Sequence, residues 1–101
     1  MDNQTKRKLE FRAKIIKSLA HPARLLVVQT LSEGERCVCE LTGLIGSDMS
    51  TVSKHLSLMK NAGIIQDEKR GNQVFYKLNA PCVLDFLRCV ERVVEKNRQD
   101  L

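Results

Sequence analysis

The stretch that decides the fold is RCVCELTGLIGSDMSTVSKHLSLMKNAG, Arg36 to Gly63. Arg36 to Ile45 reads as a short helix with Val38, Leu41, Leu44 and Ile45 turned inward, stopped by Gly46. Ser47-Asp48 then offers an N-cap, whose side-chain oxygen can accept a free backbone N–H of the next helix. That next helix spans Met49 to Asn61, with Met49, Val52, Leu56 and Met59 on one face and Ser50, Thr51, Ser53, Lys54 and Ser57 on the other. Gly63 is placed as a helix-ending glycine. A short helix, a glycine-containing turn and an amphipathic helix make a helix-turn-helix over about 36–62. Its second helix would enter the major groove with its N-terminal residues at the base edges. Ser50, Thr51 and Ser53 are short hydroxyls that allow close approach, Lys54 adds a charge and His55 a donor.

Downstream the hydrophobic period changes. Ile64 to Asp67 and Gln73 to Leu78 read as two strands, with Val74, Tyr76 and Leu78 on one face and Arg70-Gly71-Asn72 as the turn. This hairpin, about 64–78, is a wing whose tip residues Lys69 and Arg70 would lie beside a DNA backbone or minor groove. Upstream, Thr5 to Leu19 carries Leu9, Ala13, Ile16 and Leu19 at helical spacing, widened by Phe11 and Ile15. Ala20-His21-Pro22 interrupts, and Pro22 opens a strongly apolar helix to about Ser32. A last helix follows Pro81, with Cys82, Phe86, Cys89 and Val93 on one stripe. The expected fold is mainly α with a small β-hairpin, in the order helix, helix, helix, helix, strand, strand, helix, as one domain over 1–101.

Composition agrees with a DNA partner and excludes other classes. The 101 residues are 43% hydrophobic and 29% charged, which is globular and not disordered. No apolar run approaches the roughly 20 residues of a membrane span, and the polar N-terminus has no leader pattern, so a cytoplasmic protein without a membrane partner is expected. With three Phe, one Tyr and no Trp, the chain lacks the stacking platforms of single-strand binders. The formal charge of +5 favours a polyanion. Residues 1–24 hold seven basic and two acidic side chains, so the surplus sits on the first helix, as a phosphate contact or a solvated face. So short a chain has a thin core, which makes dimerisation the default expectation. No glycine-rich phosphate loop or paired carboxylate set suggests an enzyme, and a small thiol oxidoreductase is the remaining catalytic alternative.

The four cysteines read as reduced thiols and not as structural disulfides. Cys37-Val38-Cys39 suits a soft, thiophilic ion. On an ideal helix two such residues point about 200° apart, so they can clasp one ion only where the helix start is frayed or distorted. That distortion would disturb the helix supporting the reading helix. Cys82 and Cys89 share one helix face but lie roughly 10.5 Å apart along the axis. They cannot both hold one ion within a chain, and each also reads as a small hydrophobe in a dimer seam.

Four motifs, LAHPARL (19–25), CVCEL (37–41), STVSKHL (50–56) and KRGNQVFYKL (69–78), together resemble the ArsR/SmtB family of bacterial metalloregulators. The resemblance covers nearly the whole chain in the family's motif order. It implies a winged-helix homodimer joined through first and last helices, about 5–19 and 81–97, that represses an operon from an inverted-repeat operator on double-stranded DNA. Release on inducer binding is implied too. The arsenite-responsive ArsR branch is the most similar, with a C-x-C-x-x-C site; here Thr42 takes the third position. Arsenite or antimonite, As(III) or Sb(III), is the implied inducer on Cys37 and Cys39, with Cys82, Cys89 or an exogenous thiol as third ligand. Cadmium, lead and zinc, or thiol oxidation, are the alternatives. The sulfide-responsive branch pairs a second-helix cysteine with one in the last helix, where this chain has Gln29 in the second helix.

Overall fold

The computed structural model describes residues 1–99. Helices α1 (Asn3–Lys17) and α2 (Pro22–Leu31) are followed by a short strand β1 (Arg36–Cys37) and by α3 (Val38–Ile45) and α4 (Met49–Asn61). Strands β2 (Ile65–Arg70) and β3 (Gln73–Leu78) form the hairpin, and α5 (Val83–Gln99) closes the order. The starts of α1, α2 and α4 each have a local chemical reason. Asp2 accepts from the Thr5 N–H at 2.7 Å, and His21 Nδ1 accepts from the Ala23 N–H at 3.0 Å ahead of Pro22. Asp48 accepts from the Thr51 N–H at 2.8 Å. Gly46 ends α3 at φ 76°, a left-handed conformation that side chains resist.

The core gathers Val27, Val28 and Leu31 of α2, Leu41 of α3, and Val52, Leu56 and Met59 of α4. Leu19, Ile64, Ile65 and Val83 close it. The apolar face of α4 is therefore held down by α2 and α3, which fixes its opposite face outward. Leu44 and Met49 depart from the inward positions their spacing suggested: both are more than half exposed, at 54% and 57%.

A second departure matters more. The hairpin belongs to a three-stranded antiparallel sheet in the order β1-β3-β2, with Arg36 opposite Tyr76 and Cys37 opposite Phe75. The third helix accordingly begins at Val38, two residues later than its periodicity implied, because Arg36 and Cys37 are extended and pair with the wing. Within β2 and β3, Ile65 faces Leu78 and Arg70 faces Gln73, leaving Gly71-Asn72 as the two-residue turn. Among the described residues no helix is long and apolar enough to cross a membrane.

Candidate nucleic-acid interface and thiol pair

The outward face of α4 is assembled from its first turn. Asp48 Oδ1 takes both the Thr51 N–H and the Ser50 hydroxyl, the latter at 2.7 Å, and these donors, the Thr51 N–H foremost, hold its carboxyl below the usual range. Ser50 is thereby oriented beside the helix start. Ser53, Lys54 and Ser57 are exposed, and Thr51 is half-buried. This surface can offer hydroxyl and ammonium groups to a phosphate or a base edge.

His55 is placed differently from the expected base donor. Its Nδ1 lies 3.0 Å from Arg24 Nη1, and its ring sits 4.4 Å from that of His21, tilted by 47°. A guanidinium only donates, so His55 Nδ1 is the acceptor and the neutral ring keeps its proton on Nε2. Burial, then His21 and Arg24, lower its pKa. Arg24 also donates to the Lys17 carbonyl at 3.2 Å, tying the end of α1 to the middle of α4. Neither Arg24 nor His21 carries a motif that marks this role; only the fold brings positions 21, 24 and 55 together.

At the wing, Lys69 and Arg70 flank the turn, but their surroundings differ. Arg70 donates to both Glu35 oxygens and to Glu68 at 2.8 Å, and its guanidinium lies 4.8 Å over the Phe75 ring. Lys69 is exposed, and among the described residues it forms no ion pair. Sequence reasoning missed Glu35, whose partner stands 35 residues away.

The thiols of Cys37 and Cys39 meet. The two sulfurs are bonded to each other, with Cα atoms 5.3 Å apart, so the expectation of diverging reduced thiols is corrected. The cause is backbone geometry: Cys37 is extended at φ −75° and ψ 158°, so the about 200° separation of an ideal helix never applies. Cys37 is also the N-cap of α3. Its sulfur accepts from the Glu40 N–H at 3.3 Å, and Glu40 Oε1 accepts from the Cys37 N–H at 3.4 Å, a reciprocal capping box. Cys37 is buried, Cys39 exposed. Cys82 precedes α5, so it falls outside the helical stripe expected to hold it, and Cys89 lies on the helix; both are free and exposed. Thr42 donates its hydroxyl to the Val38 carbonyl at 2.7 Å, within its own helix. Among the described residues no three His, Cys, Asp or Glu side chains converge as a metal site.

Comparison with known proteins agrees with this architecture. Residues 21–67 match the family described as bacterial regulatory protein, arsR family. The chain is 43% identical over 68 residues to a cadmium resistance transcriptional regulatory protein CadC homolog of Staphylococcus aureus, covering 66% of this chain and 56% of that one. It is 31% identical over 92 residues to the helix-turn-helix-type transcriptional regulator Rv0081 of Mycobacterium tuberculosis, covering 90% of this chain and 81% of the regulator. The crystal structure of Rv0081 superposes with a TM-score of 0.79 over 99% of this chain and 97% of that one. A homodimeric winged helix-turn-helix DNA-binding domain from Mycobacterium bovis, 23% identical, shares the fold at a TM-score of 0.81 over 100% and 94% of the two chains. The chain thus spans little more than half the length of the cadmium-resistance relative, and most of Rv0081. With an α3–α4 pair matched by the family profile and a fold shared along nearly its whole length with Rv0081, the chain belongs to the arsR family of bacterial regulatory proteins.

Proposed function

We propose that this chain represses transcription by binding operator DNA as a homodimer, and releases it when a thiophilic inducer is held by Cys37 and Cys39. The observation that carries the reading is the meeting of the two sulfurs at the start of α3, immediately ahead of α4. In the reduced state the same proximity offers two thiolates to one soft ion. Arsenite or antimonite is the favoured inducer, from the resemblance of CVCEL to the ArsR site; cadmium, lead and zinc follow. The third sulfur for a trivalent ion comes from Cys82 or Cys89 of either protomer, or from an exogenous thiol.

Coordination has a direct structural consequence. The Cys37 sulfur that caps α3 is the one an ion would engage, so binding competes with the Glu40 N–H and with the pairing of β1 to β3. Tenfold weaker operator binding requires only about 1.4 kcal/mol of coupling. On DNA, Ser50, Thr51, Ser53 and Lys54 face the major groove, and Lys69 approaches the backbone. The dimer is built from α1 and α5, where Phe11, Ile15, Ile16, Phe86, Val90 and Val93 are exposed apolar side chains. Two-fold symmetry then calls for an inverted repeat. Cytoplasmic residence follows from this role.

The bonded sulfurs favour a second reading of the same device. Oxidation by hydrogen peroxide would remove a proton from each thiol, form the S–S bond and reduce the O–O bond to two waters. One experiment separates the two. Reduced protein on labelled operator DNA is titrated with arsenite, antimonite, cadmium or hydrogen peroxide, in wild type, Cys82→Ser and Cys89→Ser. Release by arsenite or antimonite in reductant supports the metalloid reading; release by peroxide alone replaces it. Loss of metalloid response in Cys82→Ser or in Cys89→Ser, with stability intact, identifies the third ligand.

A further inference from the structure

The basic surplus on α1 is not distributed evenly around the helix. Arg7, Lys14 and Lys17 recur at intervals of seven and three, which places them on one face. Ile15 of the apolar stripe is turned about 100° from Lys14. Lys14 therefore lies at the edge of the stripe assigned to the dimer seam, beside Phe11 three residues back and opposite Ile16. In the fold it meets α4: Lys14 lines a shallow groove of about 440 Å³ with Ser53, Lys54, Ser57, Leu58 and Asn61. Ser53, Lys54 and Ser57 are the outward residues of the reading helix, so the surface of α4 runs on to α1 without a break.

That continuity is fixed. Arg24 holds the Lys17 carbonyl at the end of α1 and the His55 ring of α4 at once. Lys14 itself is exposed and makes no ion pair among the described residues, whereas Lys6 on the same helix pairs with Glu10 at 4.0 Å. An unpaired ammonium beside two hydroxyls and a second ammonium suits a monoanionic phosphodiester oxygen.

We propose that Lys14 is a DNA-backbone contact, and that the groove between α1 and α4 takes a phosphate of the duplex whose major groove α4 enters. The inference rests on the reading of α4 as the DNA-binding helix. The N-terminal helix then has two faces with separate tasks: its apolar side joins the partner subunit, and its Lys14 side extends the footprint of the reading helix.

The test uses the full chain and a mixed-sequence double-stranded DNA, since phosphate contacts are independent of sequence. Binding is followed by fluorescence anisotropy across a salt series for wild type, Lys14→Gln, Lys14→Arg, Lys54→Gln and Lys96→Gln. The last variant removes the same charge from the final turn of α5. Lys14→Gln should lower the magnitude of the log K against log salt slope by about 0.9 per protomer, as Lys54→Gln does. Lys14→Arg should keep the wild-type slope, and so should Lys96→Gln. An unchanged slope in Lys14→Gln, or an equal fall in Lys96→Gln, overturns the Lys14 contact while leaving α4 as the DNA helix. A wild-type slope near zero overturns the DNA reading itself. Thermal melting of each variant confirms that the folded state is being compared.

Discussion

Glu35 and Arg70 form a two-point ion pair, Nη1 to Oε1 at 2.5 Å and Nη2 to Oε2 at 3.1 Å, between the segment leading into β1 and the tip of the wing. Arg70 pulls the Glu35 carboxyl below its usual range, and Glu35 with Glu68 raises the guanidinium further above its own. The carboxylates occupy the donors that a DNA phosphate would otherwise use. Cys37 lies two residues from Glu35, and its strand partner is Phe75, the ring beneath Arg70. The thiol segment and the wing tip are thus one connected unit.

Glu35→Gln should therefore release Arg70 towards DNA. With Glu68 also changed to Gln, the salt dependence of DNA binding should steepen by about 0.9 per protomer, the signature of one additional phosphate contact. Anisotropy titrations at several salt concentrations measure it. An unaltered slope in the double variant shows that Arg70 does not reach the backbone.

The two roles of the Cys37 sulfur can be separated by choice of substitution. Serine is a good N-cap, so Cys37→Ser should keep α3 and DNA binding while abolishing release by arsenite or antimonite. Alanine removes the cap as well, and Cys37→Ala should be about 1 kcal/mol less stable than Cys37→Ser by denaturant titration. In reductant, where the sulfurs are not bonded, Cys39→Ser should lose the inducer response with little change in stability, because Cys39 is exposed. A double serine variant still released by metalloid would move the sensor to Cys82 and Cys89.

His55 makes stability depend on mild acid. Its folded pKa is lowered, chiefly by burial, so below histidine's ordinary value near 6.5 the unfolded chain binds the proton more readily than the folded one. Stability should be full above that value and decline as pH falls through it towards the folded pKa. His55→Asn, whose amide oxygen can accept from Arg24, should flatten this part of the Tm–pH curve. The same slope in wild type and variant would place the titrating group elsewhere.

Much of this was legible in the sequence, and the exceptions share a cause. The limits of α4 coincide with Met49 and Asn61, because a cap at Asp48 and an apolar stripe through Val52, Leu56 and Met59 are local signals. The strand at Arg36 and Cys37 was not legible: two residues show no period, and their partner lies at positions 75 and 76. Once Cys37 leaves the helix, the angular argument that separated the thiols fails with it. His55 and Arg70 have the residue types a DNA contact needs. Their actual neighbours, Arg24 and Glu35, are 31 and 35 residues distant, and no spacing rule reaches so far. Leu44 and Met49 keep helical periodicity yet stay exposed, since the core ends at Leu41 and Val52 on either side of the turn.

The strand order β1-β3-β2 bears on how copies of this chain can meet. The strand β3 is paired along its whole length with β2 and at Phe75 and Tyr76 with β1, so the rim of the sheet that is free along its whole length is β2, which reads IQDEKR. Five of its six residues are exposed, and four of those carry charge. Such a rim disfavours strand addition, because a second chain zipping onto it would have to strip the water from four charged side chains. Association through this rim is thereby disfavoured, which leaves the exposed apolar side chains of α1 and α5 as the surfaces through which copies of the chain can meet.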